Sequence, residues 1–138
     1  FQNSFFKEIK SAKFKGGKML RSMLLSKLHR ATVTACDPNY NGSISIDKDL
    51  LEQSGMREFE RVEIFNLNNG ERFSTYIIEG KAGSGEIGIN GAAARINQPG
   101  DKIIIVNYGL MTEEEMQNHK PIIVCLDEHN RPCKKQNS

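Results

Sequence analysis

The sequence predicts a mainly β fold: a small closed barrel with a few short helices. Three observations support this prediction. Residues 19–138 contain about seven short apolar or alternating segments, each bounded by turn-forming residues. Only two or three further segments suit helices, and all of them are short. The 138 residues suit one ordinary domain, and closure would remove the exposed edges of an open sheet.

Apolar patterning locates the strands. Residues 43–47 (SISID) alternate polar and apolar side chains, which is typical of a half-buried strand. Residues 102–108 (KIIIVNY) are nearly continuously apolar, which indicates a fully buried strand. Asn69-Gly70 predicts a hairpin with a type I′ turn, because both residues tolerate positive φ. The strand candidates in chain order are 22–27, 30–35, 43–47, 61–67, 71–79, 86–90, 102–108 and 121–126.

Capping residues mark the helices. Asp47 is a favoured N-cap for a helix over Lys48–Ser54, which Gly55 would end. Thr112 and Glu115 have the spacing of a capping box, so a short helix follows Thr112. The remaining predictions are a helical turn at 91–95 and a polar, frayed end at 127–138.

The charge balance disfavours a nucleic-acid partner. The formal net charge is +2, but residues 1–18 alone carry five lysines against one glutamate. Residues 19–138 hold 14 of the 19 basic and 16 of the 17 acidic side chains, so they carry −2. Their lysines and arginines form no basic stripe with interleaved aromatics. No apolar stretch approaches the ~20 residues of a membrane-spanning helix, so we also expect no membrane partner.

Residues 1–18 differ from the rest of the chain. They precede the first methionine, Met19, and end near the linker-like Gly16-Gly17. We therefore expect a leader or tag-like extension outside the fold, with residues 19–138 forming a single domain. The alternative is a short basic amphipathic helix lying on a membrane surface, with Phe5, Phe6 and Ile9 opposite the lysines.

Several common chemistries lack their motifs. Cys36, Cys125 and Cys133 are odd in number and show no metal-binding spacing, so we expect reduced thiols in a cytoplasmic protein and no metal site. The sequence contains no GxSxG, HExxH or P-loop motif. Hydrolase and kinase activities are therefore disfavoured.

The dipeptide Gly42-Ser43 could take part in a less common reaction, cleavage of its own backbone. A serine hydroxyl can attack the preceding carbonyl when the backbone is strained, and glycine adopts strained conformations easily. Elimination from the resulting ester and hydrolysis would leave a pyruvoyl group on a new N-terminus. The dipeptide alone is weak evidence, since Gly83-Ser84 is a second copy and Asn41-Gly42 also suits a simple hairpin turn.

The sequence around this dipeptide resembles a known family. The segments are MLRSMLLSKLHRATVT, TACDPNYNGSISID, NGERFSTYIIEG, GSGEIGINGAAA and PGDKIIIVNYGLM. From Met19 to about Leu126 the chain resembles the bacterial L-aspartate 1-decarboxylases, which make β-alanine for pantothenate and coenzyme A synthesis. The resemblance implies a double-psi β-barrel and a cytoplasmic homotetramer. It also implies self-cleavage between Gly42 and Ser43, and a covalent pyruvoyl cofactor without metal or pyridoxal phosphate.

The resemblance also assigns roles to individual residues. Ser43 would become the pyruvoyl group, whose ketone forms a Schiff base with the substrate amine. Tyr76 would donate the proton after CO2 leaves, and Thr75 would hydrogen-bond the Gly42 carbonyl during cleavage. The residues implied to bind L-aspartate or to border its cleft are Lys27, Arg72, Asn90, Gly91, Ala92, Ala93, His29 and Tyr40.

Without the resemblance, other interpretations stay open. Thr75 and Tyr76 point to opposite faces of a strand, so one of them could be a core residue. Lys27 and Arg72 could be solvated surface charges. At the level of function, the alternatives are a non-catalytic β-barrel binding module and a pyruvoyl decarboxylase for another amino acid.

Overall fold

The structure is a computed structural model that describes residues 19–133. These residues form two compact units: a smaller one of residues 19–23 and 109–120, and a larger one of residues 24–108 and 121–133. Every candidate site residue lies in the larger unit. The predicted leader at 1–18 and the end of the tail at 134–138 lie outside the described residues.

The described residues form eight strands and three short helices, which confirms the mainly β class. In chain order the elements are β1 Arg21–Thr32, β2 Ala35–Asp37, β3 Ser43–Asp47, α1 Lys48–Ser54, β4 Arg61–Asn66, β5 Arg72–Gly80, β6 Ile87–Asn90, a 3₁₀ helix Gly91–Ile96, β7 Lys102–Met111, α2 Glu113–Met116 and β8 Ile122–Cys125.

The strands join in the order β2-β6-β3-β5-β4-β7-β1-β8. Within the described residues this hydrogen-bonded order does not close on itself, which is compatible with the predicted barrel class. β3 lies between β6, to which it is antiparallel, and β5, to which it is parallel. Its register pairs Ser43 with Asn90 and Ile44 with Ile77. The start of β3 therefore lies beside two segments that the sequence predicts to be functional.

Isoleucine side chains dominate the core. Ile44 and Ile46 of β3 are fully buried with Ile77 of β5 and Ile89 of β6. Fully burying such a side chain contributes about 1.5–3 kcal/mol. Because side chains alternate along a strand, a one-residue slip of β3 would move both isoleucines out of the core. The core therefore determines which face of β3 the Ser43 side chain occupies.

Asp47 connects the end of β3 to the loop before β6. Its side chain is fully buried and accepts hydrogen bonds from the backbone N–H groups of Asp49 at 2.8 Å, Gly83 at 3.0 Å and Gly85 at 2.8 Å. The Arg131 guanidinium lies 3.7 Å from the same carboxylate. Asp47 is thus both the predicted helix cap and the anchor of the segment that leads to Asn90.

Most predicted helix ends are confirmed. α1 ends at Gly55, which has φ of 77° and donates its N–H to Leu51 O. Thr112 and Glu115 form the reciprocal capping box of α2. Among the described residues, no helix is long and apolar enough to cross a membrane.

The predicted break within β1 is wrong. Residues 22–27 and 30–35 were expected to form separate strands, but Arg21–Thr32 is one strand and Ala35 begins β2. Residues Ser26–His29, the polar middle of β1, pair in parallel with β8, and this pairing keeps the strand continuous. Arg30 accommodates the path with a φ of 65°, which is unusual for a residue with a Cβ.

The β4–β5 hairpin forms as predicted, but its turn is different. A type I′ turn needs positive φ at both central residues, whereas Gly70 has φ of 77° and Asn69 is not in this region. The final strand pair is Phe65 with Arg72, so the loop is longer than two residues. Asn66 holds it by accepting the backbone N–H groups of Asn68 and Asn69.

Residues 127–133 are held by hydrogen bonds, which corrects the prediction of a frayed end for this part of 127–138. Asn130 is 1% exposed despite its polar side chain. Its Oδ1 accepts the Thr32 N–H at 2.7 Å, and its Nδ2 donates to the carbonyls of Thr32 and Gly85. A hydrogen-bonded buried amide holds this segment, which a composition argument does not predict.

Candidate active site

Ser43 is the first residue of β3, and its hydroxyl is buried and hydrogen-bonded. Asn90 Nδ2 donates to Ser43 Oγ at 3.0 Å and also reaches Ser45 Oγ at 3.2 Å. Ser43 Oγ donates in turn to the Asn41 carbonyl at 3.1 Å. Asn90 can make these contacts because it lies opposite Ser43 in the antiparallel ladder and its side chain does not cap the 3₁₀ helix. Ser43 and Asn90, which the sequence predicts separately as site residues, are therefore in direct contact.

Gly91 covers the backbone of Gly42. Gly91 has φ of 82°, and a Cβ on it would lie 2.6 Å from Gly42 Cα and 2.9 Å from Gly42 N. Such distances exclude any side chain at position 91. On Gly42 itself an added Cβ would meet no atom within 4 Å. Asn90 and Gly91 thus hold the Gly42-Ser43 dipeptide by its side chain and its backbone respectively.

Tyr76 lies next to Ser43 in the sheet register. The two residues immediately precede the Ile44–Ile77 pair of the parallel β3–β5 ladder. Both side chains therefore project on the face opposite those buried isoleucines. Tyr76 is 39% exposed, so its phenol is accessible to a small molecule. The register thus places Tyr76, the residue that the resemblance implies to be the proton donor, beside Ser43.

Thr75 lies on the other face of β5, opposite the buried Val62 of β4. This alternation confirms that Thr75 and Tyr76 point to opposite faces. Within residues 19–133 the Thr75 hydroxyl makes no side-chain hydrogen bond. Its role toward the Gly42 carbonyl therefore stays a prediction.

Arg72 begins β5, and its guanidinium lies over the ring of Phe65, 4.7 Å from the centroid. The two residues are cross-strand partners, so the hairpin register produces this cation–π contact. Arg72 shares a strand face with Tyr76, and four residues of strand span roughly 13 Å. Phe65 was assigned no function from the sequence. Its position across the predicted Asn69-Gly70 hairpin from Arg72 was the sequence signal that could have predicted this contact.

Lys27 and His29 lie on β1, which is not a sheet neighbour of β3. Within residues 19–133 the Lys27 side chain makes no hydrogen bond or ion pair, although its backbone lies in the β1–β8 ladder. The Nδ1 atom of His29 is buried and has no hydrogen-bond partner in the part of the chain that the structure describes. Burial lowers the pKa of His29, and the positive charges of Lys27 and Arg30 lower it further. The structure therefore does not join these two residues to Ser43 through strand pairing.

The other predicted cleft residues surround the dipeptide or follow Asn90. Tyr40 is 58% exposed, and its carbonyl lies 3.4 Å from the Cβ position of Gly91. In the 3₁₀ helix Ala92 is exposed, whereas Ala93 packs against the core. Among residues 19–133, no group of three or more His, Cys, Asp or Glu side chains is arranged to hold a metal ion.

Comparison with known proteins identifies the family. The aspartate decarboxylase family profile matches residues 19–133. The chain belongs to the aspartate decarboxylase family. It is 61% identical to the aspartate 1-decarboxylase of Ralstonia nicotianae over 113 residues, which are 82% of this chain and 94% of that protein. It is 54% identical to the Desulfotalea psychrophila aspartate 1-decarboxylase over 112 residues, which are 81% of this chain and 94% of the relative.

The segment matched by the family profile contains every candidate site residue. Membership of the aspartate decarboxylase family therefore applies to the part of the chain that holds Gly42, Ser43 and their Asn90–Gly91 contacts. The match begins at Met19, so residues 1–18 fall outside it.

Proposed function

We propose that this chain is a self-processing aspartate 1-decarboxylase, which converts L-aspartate to β-alanine and CO2 for pantothenate synthesis. One observation carries the proposal: in a member of the aspartate decarboxylase family, Asn90 and Gly91 hold the Gly42-Ser43 dipeptide. The proposed location is the cytoplasm, and the proposed assembly is a homotetramer of cleaved protomers. Family membership disfavours the alternative of a non-catalytic binding module.

Processing uses this chain's own atoms. Ser43 Oγ attacks the Gly42 carbonyl carbon, a C–O bond replaces the C–N bond, and the Ser43 nitrogen takes up the hydroxyl proton. Loss of the Ser43 α-proton then expels the Gly42 carboxylate and leaves a dehydroalanine, which hydrolyses to ammonia and a pyruvoyl group. The hydrogen bond from Asn90 Nδ2 supports this chemistry because it orients Ser43 Oγ at the start of β3. The hydroxyl must first turn away from the Asn41 carbonyl.

The residues around position 43 fit a pyruvoyl group. Such a group supplies an electrophilic carbonyl that takes the substrate amine and accepts electrons as the carboxylate leaves. The Asn90 amide is placed to hydrogen-bond an oxygen at position 43, since it already contacts one there. Gly91 leaves the neighbouring backbone uncrowded because it has no Cβ. No metal or pyridoxal phosphate is part of the proposal.

Substrate binding is proposed for Arg72, Lys27 and the backbone of residues 91–93. A guanidinium binds a carboxylate bidentately, whereas an ammonium acts as a point charge. The ring of Phe65 supports one face of the Arg72 guanidinium and leaves its N–H edges available. Two cations suit a dicarboxylic amino acid, which favours aspartate over the alternative of another substrate. Tyr76 is the proposed general acid, with His29 and Tyr40 bordering the cleft.

Intact-mass spectrometry tests the proposal. The purified protein should contain one fragment ending at Gly42 and a second beginning with a pyruvoyl group at position 43. The same preparation should form β-alanine from L-aspartate, with much lower turnover of L-glutamate and L-alanine. An intact chain that decarboxylates aspartate would overturn the processing proposal. A fully cleaved chain that prefers another amino acid would overturn the substrate assignment.

A further inference from the structure

Asn66, at the end of β4, uses its whole side-chain amide in buried hydrogen bonds. It is 3% exposed. Its Oδ1 accepts the N–H groups of Asn68 at 2.7 Å and Asn69 at 3.2 Å. Its Nδ2 donates to Asn97 Oδ1 at 2.9 Å and to Asp101 Oδ2 at 2.8 Å. An asparagine side chain has two donors and two acceptor positions, so this amide is saturated.

Asn97 continues the network into the 3₁₀ helix. It follows that helix directly, is 8% exposed and donates from Nδ2 to the Ala93 carbonyl at 2.7 Å. Its Oδ1 accepts from Asn66, so its orientation is determined at both ends. A chain of two asparagine amides therefore connects β4 to the backbone of Ala93.

A second bridge runs parallel to the first. Asn69 Nδ2 donates to the Ile96 carbonyl at 2.8 Å, and Asn69 Oδ1 accepts the Glu71 N–H at 2.9 Å. Glu71 immediately precedes Arg72. The β4–β5 loop is thus joined to the 3₁₀ helix at two points, through Asn66–Asn97 and through Asn69.

The two joined elements carry different parts of the proposed substrate site. The loop leads into Arg72, and the 3₁₀ helix supplies the backbone of residues 91–93. The helix follows β6, which pairs with β3 and so lies two strands from β5. The network adds a direct connection between the helix and the β4–β5 loop that strand pairing does not supply. Small displacements of a binding group weaken binding substantially.

We propose that Asn66 and Asn97 are positioning residues that hold Arg72 and the backbone of residues 91–93 at the separation that the substrate requires. The proposal rests on the proposed function of those two elements. Neither asparagine hydrogen-bonds to Ser43 or Tyr76, and the network ends on the Ala93 carbonyl rather than on Gly91, whose contact with Gly42 is separate. We therefore expect the network to act on substrate binding, with self-cleavage and chemistry retained.

Asn97→Ala is the principal test. It removes the bridge to Ala93 while Asn66 Nδ2 keeps Asp101 as a partner. An open cavity of about 220 Å³ lined by Asn97, Asn69 and Arg95 gives water access to the vacated position, so the variant should fold. The variant loses two hydrogen bonds, one from Asn66 and one to Ala93, and we expect KM to increase about tenfold. Self-cleavage should be complete, and kcat should stay within about twofold.

Asn130→Ala is the matched control. Asn130 is also a buried asparagine with several backbone hydrogen bonds, but it holds the 127–133 segment. It should lower the midpoint of thermal unfolding at least as much as Asn97→Ala and leave KM unchanged. Equal KM increases in the two variants would show a general stability effect and overturn the positioning proposal.

Asn69→Ala gives an independent second variant, since Asn69 is exposed and its loss affects folding least. As a single variant, Asn69→Ala should raise KM. The double variant with Asn97→Ala should raise KM further. Arg72→Ala separates the two proposals. If Arg72→Ala raises KM and both asparagine variants do not, the positioning proposal fails and the proposed site stands. If Arg72→Ala leaves KM unchanged, the proposed substrate site itself is wrong.

Discussion

Gly91 and Gly42 lie backbone against backbone, and a Cβ on Gly91 would approach Gly42 Cα to 2.6 Å. This contact explains why the residue after Asn90 must be glycine. The φ of 82° at Gly91 adds a second reason, since residues with a Cβ rarely adopt it. The turn that supplies Asn90 can therefore sit directly on the cleavage dipeptide.

Gly91→Ala should block processing or slow it severely. The added methyl must displace the Gly42 backbone, and with it the carbonyl that Ser43 attacks. Gly70→Ala is the control, because Gly70 has φ of 77° but no atom within 4 Å of the added Cβ. It should cost only the strain of its φ, about 1 kcal/mol, and cleave normally. Gel electrophoresis over time measures both, and rapid cleavage of Gly91→Ala would contradict the contact.

Ser43→Ala should stay a single uncleaved chain and form no β-alanine, because the attacking oxygen is absent. Ser84→Ala changes the second Gly-Ser dipeptide of the chain and should cleave as the wild type does. Ser84 lies in the exposed loop before β6, and its Oγ donates to the Lys81 carbonyl. Intact-mass spectrometry distinguishes the outcomes, and cleavage of the Ser43 variant would refute attack by this hydroxyl.

Tyr76→Phe should cleave normally but lose catalytic turnover by about 10²–10⁴-fold, the usual contribution of a general acid. Its KM should change much less, since the ring remains. Tyr108→Phe removes another exposed phenol, on β7, and should have no effect on turnover. Steady-state β-alanine formation measures both variants. Unchanged turnover of Tyr76→Phe would exclude this phenol as the proton donor.

Phe65→Leu should raise KM for aspartate by about two- to fivefold, because an exposed cation–π contact contributes about 0.5–1 kcal/mol. The substitution keeps an apolar residue on β4 but removes the ring beneath Arg72. Ile104, its partner on β7, provides a control: Ile104→Leu alters the same ladder without touching the guanidinium contact. Equal KM values for the two variants and the wild type would show that the stacking has no effect on binding.

His29 should make the protein less stable in mild acid. Its pKa is lowered in the folded protein, chiefly by burial, from an unfolded value of 6.5. As the pH falls below 6.5, the unfolded chain binds the proton first, so the free energy of unfolding decreases until the folded pKa is passed. At higher pH the ring is neutral in both states and this effect vanishes.

His29→Gln should therefore reduce the loss of unfolding free energy between about pH 7.5 and about pH 5. Urea unfolding at the two pH values gives the comparison. An identical pH dependence in His29→Gln and the wild type would show that this ring does not contribute.

Local chemistry made several elements predictable from the sequence. The cap at Asp47, the stop at Gly55 and the capping box at Thr112 each depend on residues a few positions apart. The strand at 43–47 followed from its own alternation. The predictions of a type I′ turn between β4 and β5 and of a break in β1 were wrong. Hydrogen bonds to the Asn66 side chain determine the turn, and pairing with β8 keeps β1 continuous.

By itself the sequence determined the mainly β class, the short helices and the family resemblance, since apolar alternation, caps and motifs are local properties of the chain. Only the tertiary structure placed Asn90 on Ser43, Gly91 on Gly42 and Phe65 under Arg72, and linked Asn66 to Ala93 through Asn97. Most of these contacts join residues far apart in the sequence, and the contact of Phe65 with Arg72 depends on the register of the hairpin. Strand register and the saturation of buried amides decide them, and neither follows from the order of residues within one segment.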